Sequence, residues 1–331
     1  MKLILIGEEH SRRTDYLKKA AGSLNIQLDV ICWNKLQGDF PIKSLDNAFV
    51  KIDPPCYQTI RLSHMQSLLA EYQKTLQKLM QADCHFLNSP EAIWQLLDKK
   101  RTKEYLQKHN IPATQMFSED IQEPEQLISQ MHENHCYSVF VKPRYFSGAA
   151  GVAAFRIHPA NGKMMLYTSC RLENKELINT KKLSKLSGCS EIIDILEKLL
   201  TLGCVVERWH PKADFRGKSY DLRVVFQYGH IAHIVVRQSD GPITNLHLNN
   251  QALDVQALGL DAGTIQNIAE ICNRAVAGFQ GLNMAGIDIL LERKTMRPLI
   301  IEMNGQGDLI YQDIFGENNI YREQVEKVCR I

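Results

Sequence analysis

Apolar residues in the first half of the chain fall alternately into short continuous runs and into three-to-four-residue spacing, the signatures of strands and of helices. Leu3-Ile4-Leu5-Ile6 predicts a strand closing at Gly7, Ser11 to Ala21 a helix, and Gln27 to Trp33 a second strand. Strand, helix, strand with short links is a βαβ unit and implies a parallel sheet. No Gly-rich dinucleotide fingerprint follows Gly7, so a nucleotide site in this unit is not expected. Phe49 to Ile52 reads as a strand stopped by Pro54-Pro55, because proline cannot donate to a ladder. Leu62, Met65, Leu68, Leu69, Tyr72, Leu76 and Leu79 then form the core stripe of a helix. Asn88-Ser89-Pro90-Glu91 opens the next helical stretch with a cap and a first-turn proline, and this stretch runs into Asp98-Lys99-Lys100-Arg101-Thr102-Lys103. It ends at Asn110-Ile111-Pro112, and Glu123 to Asn134 predicts a further helix.

In the second half, strands dominate. Ser138 to Pro143 is a strand carrying Lys142, followed by the small-residue loop Ser147-Gly148-Ala149-Ala150-Gly151. Asn161-Gly162 predicts a hairpin turn between strands 152–158 and 164–168. The stretch 181–202 reads as a helix, polar at first and amphipathic from Ile192. Strands are expected over 203–210, 220–226 and 231–237, a helix over 264–282, and strands over 285–291 and 299–304. His230 and His233 would point to opposite strand faces and are not read as a metal pair.

Composition narrows the class of protein. Lys plus Arg total 39 against 37 Asp plus Glu, and a net charge of +2 gives no case for nucleic acid or membrane as partner. The 9 cysteines include no CxxC, which favours reduced thiols and a cytoplasmic setting. The first apolar run is too short for a signal peptide and no run is long enough to span a bilayer. The 331 residues allow two or three modules.

The chemistry concentrates near the C-terminus. Leu299-Ile300-Ile301-Glu302-Met303-Asn304-Gly305-Gln306-Gly307-Asp308 is an apolar strand that delivers oxygen donors, and Asp288 lies at the centre of the preceding strand. A hairpin through 292–298 would set Asp288, Glu302 and Asn304 side by side, with Glu302 and Asn304 on one face. Three such oxygens suit Mg²⁺; buried carboxylates pairing with basic side chains would equally explain them. In the 147–151 loop, small residues leave backbone N–H groups open to phosphate oxygens, with Lys142 as a point charge, though a plain turn has the same composition. Asp221 and Arg223 share a strand face and Arg237 ends its strand; such arginines suit phosphate or carboxylate, or a structural Asp–Arg pair.

From about Asn88 to Asp308, these motifs in this order resemble the ATP-grasp superfamily, in particular the ribosomal-protein glutamate ligase and D-alanine:D-alanine ligase branch. The resemblance implies an α/β protein, α+β in its C-terminal part: an ATP-grasp fold preceded by a Rossmann-like pre-ATP-grasp domain. It implies a division into residues 1–87, a central and lid part over 88–205, and a metal-bearing part over 206–331. Lys99 and Lys142 match the family's phosphate-contacting lysines, and Ser147, Gly148 and Gly151 belong to the loop that closes over the triphosphate. Glu207, Arg208 and His210 match the hinge strand that holds adenine, with the Arg208 carbonyl and His210 amide facing the base, and Asp214 matches the ribose position. Arg223, Arg237 and Asn245 match residues around the γ-phosphate and acceptor, and Asp288, Glu302 and Asn304 match the metal ligands. The implied cofactors are ATP and Mg²⁺, or Mn²⁺. The implied reaction joins a small-molecule or peptide carboxylate to an amine acceptor through an acyl phosphate; phosphorylation of a hydroxyl, or nucleotide binding without turnover, are the alternatives. One departure stands out: where the family often continues with a small residue, Pro and Gly after the metal-binding Asn, this chain has Gly305-Gln306-Gly307.

Overall fold

A computed structural model describes residues 2–36, 38, 40–56, 60–117, 119–146, 148–248, 250–306 and 318–330. Strands β1 (Leu3–Ile6), β2 (Leu28–Ile31), β3 (Phe49–Ile52) and β4 (His85–Phe86) form a parallel sheet of order β2-β1-β3-β4. Every residue of β1 is buried, as a parallel strand covered on both faces requires. Helix α1 (Arg12–Ser23) covers one face with Leu17, Ala20 and Ala21, and α2 (Leu62–Leu79) covers the other with Tyr72, Leu76 and Leu79.

Helices α3 (Pro90–Leu97), α4 (Lys99–Lys108) and α5 (Pro124–Glu133) lead to strands β5 (Ser138–Pro143), β6 (Ala153–Ile157), β7 (Met164–Glu173) and β8 (Glu176–Leu186). Helix α6 (Cys189–Leu200) and strand β9 (Cys204–Arg208) complete an antiparallel sheet of order β8-β7-β6-β5-β9. Leu127, Met131, Ile192, Leu196 and Leu199 of α5 and α6 pack on Val139, Val141, Phe155 and Leu166 of that sheet.

The third sheet contains β10 (Asp214–Phe215), β11 (Lys218–Gln227), β12 (His230–Ser239), β13 (Gln251–Asp254), β14 (Met284–Leu291) and β15 (Pro298–Asn304), with α7 (Ala262–Val276) crossing between β13 and β14. Its order is β13-β12-β11-β14-β15, with β10 paired to β11, and every pairing is antiparallel. Alternation along its strands divides the residues between two faces. Leu222, Val224, Ile287 and Ile289 join Leu106 of α4 and Ile268, Ile271 and Ala275 of α7 in one core, while Asp221, Arg223 and Asp288 turn to the opposite face. Helix α8 (Asn319–Cys329) returns to the first sheet, where Tyr321 and Val325 pack with Leu3, Leu5 and Leu17.

The sequence reading and the structure differ at three expected helices, and the short strands β4, β10 and β13 have no counterpart in the sequence reading. Residues 181–186 are not the start of a helix but the end of edge strand β8, where Ser184, Lys185 and Leu186 pair with Thr168, Tyr167 and Leu166; the helix begins at Cys189. The helical stretch after Ser89 is broken at Asp98, whose ψ of 93° ends α3 while its carboxylate accepts the Arg101 N–H and caps α4. Helix α7 stops at Val276, although Phe279 and Leu282 beyond it still enter the same core.

The junction after the first sheet is held by one side chain. Asn88 is 3 % exposed; its amide donates to the carbonyls of Met284 (2.7 Å) and Gly305 (2.6 Å), and its oxygen accepts the Asn283 and Met284 N–H groups at 2.8 and 2.9 Å. All the hydrogen-bonding capacity of the amide is thus spent on the entry to β14 and on the turn after β15. Replacing Asn88 with Ala removes four hydrogen bonds to backbone groups, two of them buried, and urea denaturation is expected to show a loss of about 2–4 kcal/mol.

Candidate active site

One row of residues crosses the third sheet. Arg223 stands opposite Asp288, and Asp288 opposite Glu302, across β11, β14 and β15. Cross-strand partners share a face, so the hairpin expected from the sequence sets these three together. The register shifts after Asp288, because Ile289 pairs with Ile300 and Ile301 is left over as a bulge. That extra residue lets Ile300 and Met303 both point to the core while Glu302 and Asn304 take the other face. Asp221 and Arg237, opposite each other on β11 and β12, form the adjoining row.

These charges are buried, so they must be paired. Asp288 receives Arg223 Nε at 2.5 Å and Arg237 at 3.0 Å. Asp221 receives Arg237 Nε at 2.7 Å, Lys212 Nζ at 3.1 Å and the Thr244 hydroxyl. Burial disfavours the Asp221 carboxylate, but Arg237 and Lys212 outweigh it and hold the carboxyl far below its usual range. Arg237 is pushed up in turn: burial opposes its charge, and Asp221 and Asp288 more than restore it.

The lysines arrive from other elements. Lys99 begins α4 directly after Asp98, and Asp98 is gripped by Arg144 at 2.7 and 2.6 Å at the end of β5. This clamp aims the Lys99 ammonium at the Phe146 carbonyl and at Glu302 Oε1, 3.3 Å away. Lys142 on β5 meets Glu207 Oε2 of β9 at 3.0 Å, and Lys103 of α4 reaches the same oxygen at 3.4 Å. Burial lowers Lys103 to about 8 despite the pull of Glu207. Burial works to raise the Glu207 carboxyl, but the Lys103 and Lys142 ammonium groups and the Thr114 hydroxyl at 2.6 Å bring it down to about 2. Glu207 Oε1 is buried without a hydrogen-bond partner among the described residues.

The cleft between the second and third sheets is lined by Lys142, Glu207, Arg208, His210, Arg237, Asn245, Asp288 and Glu302, so eight of the residues singled out from sequence meet there. Lys99 joins them through Glu302, and Gly148 and Asn304 line a second cavity that shares Arg237 and Asn245 with the first. Asp214 is placed apart, exposed on β10 and 3.4 Å from Arg293. Ser147, Gly307 and Asp308 lie outside the described residues. Gly151 takes φ +72°, and a Cβ there would stand 2.5 Å from Pro143 Cγ, so the close approach of the loop to β5 admits only glycine. Among the described residues no group of three His, Cys, Asp or Glu could hold a metal; the set here is two carboxylates and an amide.

Sequence reasoning missed three residues. Lys103 and Lys212 are 4 % and 9 % exposed, although Lys103 belongs to a basic run of the kind that is usually a solvated face. Only the tertiary partners Glu207 and Asp221 reveal them. Gln306 sits where the resemblance led one to expect Pro-Gly. Its N–H donates to Asn304 Oδ1 (2.9 Å), its side-chain amide to the Ile52 carbonyl (3.1 Å), and its Oε1 accepts from Tyr72 (2.8 Å). Arg13 donates to its carbonyl at 3.0 Å. The departure therefore ties Asn304 to the first sheet.

No family model and no curated protein matches the chain. Solved structures do. D-cycloserine synthetase DcsG aligns over 100 % of this chain and 99 % of its own, at 14 % identity and a TM-score of 0.65. Macrocyclase MdnC from Microcystis aeruginosa MRC, solved with precursor peptide MdnA, aligns over 98 % and 99 % at 13 % identity and a TM-score of 0.61. ATP-grasp ligase PsnB, complexed with a phosphomimetic variant of a minimal precursor, Mg and ADP, aligns over 98 % and 97 % at 13 % identity and a TM-score of 0.58. The chain has the ATP-grasp fold. No helix among the described residues is long and apolar enough to cross a membrane.

Two outcomes are expected. Because Glu207 is lowered from 4.5 to about 2 on folding, it contributes stability above pH 4.5 that is lost as pH falls through that interval. Denaturation midpoints should fall between pH 4.5 and 2, and Glu207→Gln should be less stable at pH 7 and flatter across that window. Gln306→Ala should cost about 1–3 kcal/mol in urea denaturation, since it removes two buried side-chain hydrogen bonds, one from the Tyr72 hydroxyl and one to the Ile52 carbonyl.

Proposed function

We propose that this chain is an ATP-dependent carboxylate–amine ligase that works with Mg²⁺ through an acyl phosphate. The observation that carries the reading is the meeting of Lys142 and Arg237 with Asp288 and Glu302 in one cleft between two antiparallel sheets, with Lys99 against Glu302, Arg223 against Asp288 and Asn304 in the adjoining cavity. The shared fold with a synthetase, a macrocyclase and a ligase supports it. Residues 1–87 then act as the preceding domain, 88–205 as the central and lid part, and 206–331 as the part with the metal ligands. Cytoplasmic placement and independence from nucleic acid and membrane accord with the near-neutral charge.

Asp288, Glu302 and Asn304 fit Mg²⁺, or Mn²⁺, because all three offer oxygen donors from two adjacent strands on one face. When bound, the cation supplies charge neutralisation for the triphosphate. The protein's own part is positioning and electrostatics. Lys99 and Lys142, held in place by Glu302 and Glu207, exchange carboxylate partners for phosphate oxygens. Glu207, Arg208 and His210 form the wall for the base, and Gly148 and Gly151 belong to the cover that excludes water. The acid's carboxylate oxygen bonds to the γ-phosphorus as the bond to ADP breaks. Arg223, Arg237 and Asn245 steady the charge that develops there. The amine nitrogen then bonds to the acyl carbon, phosphate leaves, and the nitrogen loses a proton.

The Glu302 side chain is 29 % exposed, so Glu302→Gln should fold. With ATP, Mg²⁺ and a panel of acids and amines, the wild type should release ADP and phosphate and form an amide, while Glu302→Gln should lose about 10²-fold or more in kcat/KM. A stable phosphorylated product with no amide in the mass spectrum would turn the assignment to a kinase.

A further inference from the structure

Resting on the ligase reading, we infer that the acid this site activates is a small carboxylic acid bearing an apolar group, not a dicarboxylate or an otherwise charged acid. The second cavity, about 280 Å³, lies between the first sheet's elements and the charged face of the third sheet. It joins the nucleotide cleft at Arg237 and Asn245, which line both. The shared residues mark where a γ-phosphoryl group from one side meets a carboxylate from the other.

The two ends of this cavity differ in chemistry. At the inner end are Arg223, Arg237, Asn245 and Asn304. The Arg223 guanidinium is fixed through Nε by Asp288, so its planar fork is set in orientation before any acid arrives. The outer wall is Pro54, Pro55, Met65, Leu69, Leu97 and Leu246, drawn from the end of β3, from α2, from α3 and from the loop after β12. Leu69 and Met65 are half-buried on α2, on the side that leaves Tyr72 facing the same space. Among the described residues no carboxylate lines the cavity, and the one cation there outside the inner cluster, Arg13, is bound to the Gln306 carbonyl at 3.0 Å and stands 3.7 Å from Asp53. A second carboxylate on the substrate would have to be desolvated against prolines, leucines and a methionine, while an alkyl or aryl group gains from leaving water. The volume matches one side-chain-sized group and falls below the usual range for drug-sized ligands.

Calorimetry on the full chain decides the matter, with hexanoate, 4-phenylbutyrate and succinate as probes, each measured with and without AMPPNP and Mg²⁺. Hexanoate and 4-phenylbutyrate should bind at least tenfold tighter than succinate. Leu69→Asp should erase that preference, and AMPPNP binding by the variant reports that its fold is intact; should it fail to fold, Met65→Gln makes the same test with a milder change. Succinate binding as tightly as hexanoate, no binding of any of the three, or an undiminished preference in the folded variant would overturn the inference. Failure of the wild type to bind AMPPNP would instead overturn the ligase reading, while the ranking of the acids measured without nucleotide would still decide the character of the cavity.

Discussion

A buried carboxylate survives only beside a cation, and the third sheet is arranged around that requirement. Asp288 sits between Arg223 and Arg237, Asp221 between Arg237 and Lys212, and Glu302 beside Lys99. Arg237 belongs to both aspartate pairs, so the network cannot be divided without leaving a buried charge uncompensated. The same balance keeps the face ready for a polyanion. Under the proposed function, a triphosphate with its cation brings charges of both signs, for which the lysines and carboxylates of this face are the partners already in place. Preorganisation of this kind is what phosphoryl transfer draws on, since it asks for placement and neutralisation more than covalent help.

The pairing also explains why three sheets meet where they do. Lys99 depends on Asp98, Asp98 on Arg144, and Arg144 on the end of β5, so the second sheet aims a side chain at the third. Lys103 and Lys142 share Glu207, which fastens α4 and β5 to β9. Asn88 and Gln306 do the corresponding work toward the first sheet, using amides where the interior of the site uses charges. An amide can satisfy donors and acceptors at once without a counter-ion, which suits a junction that must be dry and neutral.

Much of this was legible in the chain. Period-two alternation and apolar runs mark most of the strands, because a residue facing the core has to be apolar wherever the sheet is covered; the short β4, β10 and β13 and the edge strand β8 escape them. The Asp288–Glu302 hairpin could be read from two apolar runs and a polar turn. What could not be read depends on partners far away in sequence. Nothing near Asp98 announces that a carboxylate will break a helix there, since its grip comes from Arg144. Strand β8 looks like the polar opening of a helix because edge strands carry lysines and serines on their open side. Lysine is usually a surface residue, and the burial of Lys103 and Lys212 makes sense only once Glu207 and Asp221 are seen beside them.

Gln306 shows how a mismatch with a family pattern can carry information. A Pro-Gly turn after a metal-binding Asn would free the backbone to face a substrate, whereas Gln306 commits its side chain to Ile52 and Tyr72 and its N–H to Asn304. The turn is thereby drawn toward the first sheet, and Tyr72 comes with it to line the cavity beside Leu69 and Met65 on α2. One side chain after the strand thus links the turn to the first sheet and to α2, beside the hairpin that pairs Asp288 with Glu302. Under the proposed function, chemistry and selectivity fall to different parts of the chain: the hairpin holds the charges that an acyl-phosphate route needs, and the first sheet and α2 supply the apolar wall that an acid would meet.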